Sequence, residues 1–109
     1  MLNQEYKLRY LPLFNEELES AVLYIAKEKN NIDAAEDLLD SVEEAIIKRS
    51  KNNPESFEPV PTKRKREYPY HRIYVGNYII YYVVFTEGND KIMEVRRFVH
   101  VLQNREDIK

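Results

Sequence analysis

A chain of 109 residues has room for one domain around one core, and 43% apolar with 33% charged residues excludes disorder as a description of the whole. With no cysteine there is no disulfide framework, no thiolate metal ligand and no Cys nucleophile, and two histidines are too few for a metal cluster. The net charge of −2 conceals a split, since residues 1–58 carry 7 Lys/Arg against 13 Asp/Glu and residues 59–109 carry 10 against 6, which predicts a polarised surface.

The N-terminal residues Glu5, Lys7 and Arg9 stand where a signal peptide would need an apolar core. In Tyr6-Lys7-Leu8-Arg9-Tyr10-Leu11, Tyr6, Leu8 and Tyr10 alternate with two cations up to Pro12, the period of a half-exposed strand. Asn15 offers an N-cap and Glu16 and Glu17 suit a first helical turn. Leu18, Ala21, Val22 and Ile25 then recur at helical spacing behind Phe14, predicting a helix over 15–29 that ends near Lys27 and Lys29. Asn30-Asn31 interrupts the pattern. Asp33 with Glu36 has the form of a capping box for a second helix. Its stripe is Ala35, Leu38, Leu39, Val42, Ala45 and Ile46, and it fades through Lys48-Arg49-Ser50-Lys51 before Pro54. So short a connection predicts an αα-hairpin, with Glu16, Glu19, Asp37, Asp40 and Glu44 on its solvated outer faces.

Residues 52–70 are punctuated by Pro54, Pro59, Pro61 and Pro69 and read as one long loop, of the kind that is functional or mobile. It carries Lys63-Arg64-Lys65-Arg66 followed by Tyr68 and Tyr70, a pattern suited to an anionic partner: a phosphate backbone with exposed bases, or an acidic protein segment. Two apolar and aromatic runs then meet at Gly76-Asn77, a two-residue hairpin signal. The second run, Tyr78–Phe85, is apolar or aromatic at every position, which predicts a strand covered on both faces in mid-sheet. As the longest apolar run it is far too short to cross a membrane, so a soluble cytoplasmic protein is expected. The last strand covers Ile92–His100, with Met93, Val95, Arg97 and Val99 expected on one face and Ile92, Glu94, Arg96, Phe98 and His100 on the other. The order β-α-α-β-β-β describes a single α+β domain over 1–109, a helical hairpin packed on a mainly antiparallel twisted sheet.

That order, the Arg72-x-x-Val-Gly-Asn-Tyr-x-x-x-Tyr hairpin and the Arg97-x-x-His100 ending together resemble the RelE/ParE family of bacterial type II toxins, which includes plasmid stabilisation proteins. The resemblance implies a toxin held inactive by an antitoxin encoded in an adjacent gene, with no cofactor and no membrane partner. It carries two activities that the fold alone does not separate. Members resembling RelE cut messenger RNA on the ribosome without a metal, which requires cations for the phosphate and a proton donor for the leaving oxygen. On that reading the candidate catalytic residues are His100, chosen because imidazole is the side chain suited to proton transfer near neutrality, with Arg97 and Arg72. Lys63, Lys65 and Arg96 complete the cation set. Members resembling ParE inhibit growth by poisoning DNA gyrase and need a surface, not a catalytic set. The residues expected to contact target or antitoxin are Lys63, Arg64, Lys65, Arg66, Tyr74, Arg96 and Arg105.

One departure separates the two activities. The ribonuclease likeness implies an Arg directly after the residue that opens the central strand, where this chain has Ile79 after Tyr78. Ile79 stabilises no phosphate, and the Arg-x-x-His ending is typical of ParE-like members, so the gyrase reading is preferred. A non-toxic, antitoxin-binding remnant is the third reading.

Overall fold

The computed structural model describes residues 5–62 and 66–103. Gly76 sits at φ +56°, the left-handed conformation that a two-residue hairpin turn needs. It joins β2 (His71–Val75) to β3 (Tyr78–Glu87), with Val75 opposite Tyr78 and His71 opposite Tyr82. A second tight turn, with Gly88 at φ +62°, leads into β4 (Asp90–His100), antiparallel to β3. The N-terminal strand β1 (Tyr6–Tyr10) lies parallel to β4, Tyr6 beside Lys91 and Tyr10 beside Val95. The four-stranded sheet therefore has the order β1-β4-β3-β2, with the aromatic strand β3 in its interior as its composition predicts.

Two helices cover one face. Helix α1 (Pro12–Leu23) runs into a π-helical turn over Tyr24–Glu28, and α2 spans Ile32–Ser50. The α1 boundary differs from the expected one at Asn15. Pro12 supplies the first helical residue at no cost in hydrogen bonds, because it has no N–H to leave unpaired. The Asn15 N–H already bonds the Leu11 carbonyl at 3.3 Å, so Asn15 lies inside the helix and Glu16 and Glu17 fall beyond its first turn. Asn30 ends the π-helical turn at φ 49°, and the Asn31 N–H returns to the Ile25 carbonyl at 3.2 Å, a left-handed helix stop. The cap of α2 is Asn31, whose side chain accepts the Ala34 N–H at 3.0 Å. Asp33 instead occupies the first turn.

The main core lies between helices and sheet. Phe14 of α1 and Val42 and Ile46 of α2 pack on Ile73, Ile80, Tyr82, Met93, Val95 and Phe98. Each such side chain contributes roughly 1.5–3 kcal/mol by leaving water. Leu18, Ala21, Leu38 and Ala45 join from the helical stripes, while Leu39 stays exposed. The expected acidic outer residues Glu16, Glu19, Asp37, Asp40 and Glu44 are all exposed. A smaller cluster of Val60, Ile79, Tyr81 and Val99, joined by Tyr70, occupies the opposite face.

That opposite cluster corrects the expected facing of β4. Tyr82 pairs with Val95 but Tyr81 pairs with Arg97, so Arg96 is an extra residue, a β-bulge. The bulge moves the alternation by one place. Met93, Val95 and Phe98 consequently share the helix face, and Val99 turns to the other. The segment after α2 is also more structured than a plain loop. A 3-10 turn at Pro54–Ser56 lies under the sheet's helix face, where the Tyr82 hydroxyl donates to the Pro54 carbonyl at 2.7 Å. The chain then reaches the opposite face, where Val60 is buried and its N–H bonds the Tyr70 carbonyl at 2.7 Å. Among the described residues, no helix is long and apolar enough to cross a membrane.

Candidate functional site

Strand register decides which expected site residues share a face, because laterally paired residues point the same way. Arg72 pairs with Tyr81, and Tyr81 pairs with Arg97, so both arginines lie on the face away from the helices. Tyr74 pairs with Ile79 on that same face and is 59% exposed, with the Arg72 guanidinium 5.7 Å from its ring centroid. His100 pairs with Tyr78, which packs against the helix-side core. The proposed set of His100, Arg97 and Arg72 is therefore divided between two faces.

His100 belongs to a groove between α1 and the end of the sheet, a cavity of about 740 Å³ lined by Leu13, Glu16, Glu17, Ser20, Ala21, Tyr24, Tyr78, Phe98, His100 and Leu102. Its Nδ1 accepts the Leu102 N–H at 3.1 Å and its ring stands edge-on to Tyr78 at 5.2 Å.

Arg9, Arg96 and Arg97 on the opposite face are engaged by carboxylates. Arg97 donates to both oxygens of Glu17, with Nη2 at 2.7 Å, and the Phe98 N–H gives a further bond to Glu17 at 2.9 Å. This follows from the chain's geometry. β1 ends at Tyr10, leaving the last residues of β4 on an open edge, and the Glu17 carboxylate on α1 takes the edge N–H that no strand reaches. Glu17 also raises the Arg97 pKa, fixing its charge. Arg96 donates from Nε to Glu94 at 2.8 Å. Burial opposes its charge, but the Tyr70 hydroxyl and Glu94 outweigh that and raise its pKa. Glu94, 7% exposed, also faces Arg9 at 3.8 Å, and Arg9 in turn meets Glu87 at 2.9 Å.

The aromatic residues of the loop are occupied as well. Tyr68 stacks on Phe85 at 5.1 Å, and Tyr70 packs on Tyr81 at 6.0 Å. The guanidiniums of Arg66 and Arg96 lie 4.5 and 5.8 Å from the Tyr70 ring centroid. Lys63, Arg64, Lys65 and Arg105 lie outside the described residues. The sequence gives no sign that Glu17 meets Arg97, because eighty positions and an ordinary helix surface separate them. Glu94 does leave a trace: an acid set among the apolar residues of one strand, with Arg9 among those of another.

What this arrangement offers is recognition chemistry. The exposed Tyr74 and the half-buried Arg72 stand together on edge strand β2, beside a row of cations whose charge is fixed by internal partners. No curated protein matches the chain. Residues 8–105, nearly its full length, match the family described as the ParE toxin of the type II toxin–antitoxin system, parDE. The two helices packed on a mixed, mostly antiparallel sheet and this match agree with each other and with the resemblance read from the hairpin, and the chain belongs to the ParE toxin family.

Proposed function

We propose that this chain arrests growth by binding DNA gyrase, with no bond chemistry of its own, and that a cognate antitoxin encoded beside it neutralises it by engaging the basic face. The separation of His100 from Arg72 and Arg97 carries the reading. A ribonuclease would need an acid and free phosphate cations at one point; here strand register turns Arg72 and Arg97 away from the His100 face, and Arg97 reaches back only to Glu17, whose carboxylate already holds it. The engaged cations lend further support, since Glu17 and Glu94 already hold Arg97 and Arg96. Ile79, buried where the ribonuclease likeness implies an Arg, points the same way.

The antitoxin segment fits the Arg72–Tyr74 edge. Among the described residues β2 has a single strand neighbour, so apart from the Arg72 carbonyl that Arg49 takes, its outer edge offers pairing to an added strand, and an acidic side chain there meets Arg72. Inducing the chain in bacteria is expected to give gyrase-linked DNA breaks with transcripts intact, and a gyrase-resistant strain should grow normally. Cleaved messages in arrested cells, with gyrase untouched, would overturn the reading in favour of a RelE-like ribonuclease, and harmless induction in favour of a non-toxic binding protein. For the antitoxin, an Arg72→Ala/Tyr74→Ala variant is expected to lose about tenfold or more in affinity.

A further inference from the structure

His71 opens β2 and is 5% exposed, a titratable ring enclosed where three segments meet. Its imidazole stacks on Tyr82 with ring centroids 5.2 Å apart and planes 22° from parallel. The Tyr82 hydroxyl, which donates to Pro54, accepts from Arg49 Nη1 at 2.8 Å. The same Nη1 donates to the Arg72 carbonyl at 3.2 Å, and the guanidinium lies 3.6 Å from the Phe57 ring centroid. One cation on α2 thus ties together β2, β3 and the start of the strap that runs from Pro54 to Val60. At its far end, Val60 closes over Ile79, Tyr81 and Val99, between the helix-free face and solvent.

We propose that His71 is a pH-sensitive latch: protonating its ring places a second cation beside Arg49 and frees the Pro54–Val60 strap from the sheet. The groups around the ring set the sense of the effect. Arg49 faces it from α2 and repels a positive imidazole. Glu55 faces it from the 3-10 turn but is already held by Lys91 at 2.7 Å and by the Tyr6 hydroxyl at 2.5 Å. Tyr82 contributes a ring from β3 whose hydroxyl is fully used. The backbone carbonyls of Phe57 and Glu58 favour the charged ring, yet Nδ1 has no hydrogen-bond partner among the described residues. Burial dominates, with Arg49 adding to it, and holds the His71 pKa below the ordinary histidine range. The sign follows. Above the unfolded value the ring is neutral in both states and the anchorage is complete. As pH falls below it, the unfolded chain and the released strap take up a proton that the latched state resists, so the anchorage weakens progressively through the lower, folded pKa.

Release would lift Val60 off Tyr81 and widen the face that carries Arg72 and Arg97, so the latch regulates access to that face whatever it recognises. The latch itself does not depend on gyrase being the target. The test couples two measurements on the intact chain: NMR titration of the two imidazoles, and hydrogen exchange of the Val60 amide corrected for intrinsic rate. We expect Val60 exchange to rise several-fold along the His71 titration, while amides at Val42 and Ile46 in α2 stay protected. His100→Asn should leave this behaviour intact, and His71→Asn should remove it. Val60 protection that is unchanged through the His71 titration, or that follows His100, overturns the proposal. Should His71→Asn fail to fold, the wild type and His100→Asn still decide it.

Discussion

Towards the helices the sheet presents Ile73, Ile80, Tyr82, Met93, Val95 and Phe98, a continuous apolar set sealed by Phe14, Val42 and Ile46. On the other face Ile79, Tyr81 and Val99 share the surface with Arg9, Arg72, Glu94, Arg96 and Arg97, under a strap instead of a helix. Both faces belong to the same strands, so the contrast isolates what each kind of surface does. The apolar face holds the fold together by area removed from water. The charged face adds less stability per residue, because its ion pairs return much of the desolvation they cost, but it fixes where each guanidinium points. Packing and charge placement are divided between the two sides of one sheet.

Substitutions can break that division or sharpen it. Phe14→Ala removes the ring that touches Tyr10 and stands edge-on to Phe98 at 6.0 Å, and urea unfolding is expected to show a loss of about 3–5 kcal/mol. A loss below that of a charged-face change would mean the division is wrong. Glu17→Ala strips Arg97 and the Phe98 N–H of their carboxylate at once. An expected cost of about 1.5–3 kcal/mol, towards the lower end because the pair is partly exposed, should halve in Glu17→Gln, which keeps one acceptor. Arg9→Ala opens an exposed pair with Glu87 and a looser one with Glu94, which keeps Arg96, and its urea midpoint is expected to stay within experimental error of the parent. A clear shift there would show that the charged face is a structural network in its own right.

Much of this was legible in the residues. Gly76-Asn77 announced the hairpin, the unbroken run from Tyr78 to Phe85 announced an interior strand, and the helical stripes marked most of the core. Where the reading failed, two local signals competed. Asn15 and Asp33 are good caps, but α1 already starts at Pro12 behind Leu11, and Asn31 caps α2. The bulge at Arg96 was invisible because one inserted residue changes no composition, yet it turned Phe98 towards the core and Val99 away. The site was less legible than the fold for the same reason. Tying Glu17 to Arg97, or parting His100 from Arg72, needs the register of strands far apart in sequence, and no local pattern encodes it.

The parallel pairing of β1 with β4 has a kinetic side. β2, β3 and β4 are successive hairpins whose contacts close over short loops, whereas Tyr6 must find Lys91 across almost the whole chain. The entropy of closing so long a loop has to be met before the contact returns anything, which makes this the slow kind of pairing. During synthesis β1 is made before β4, and Tyr6, Leu8 and Tyr10 have no β4 partner until that strand exists. Of the pairings in the sheet, β1 with β4 is the one that closes the longest loop, and the helix-side core is sealed at that edge only once it forms.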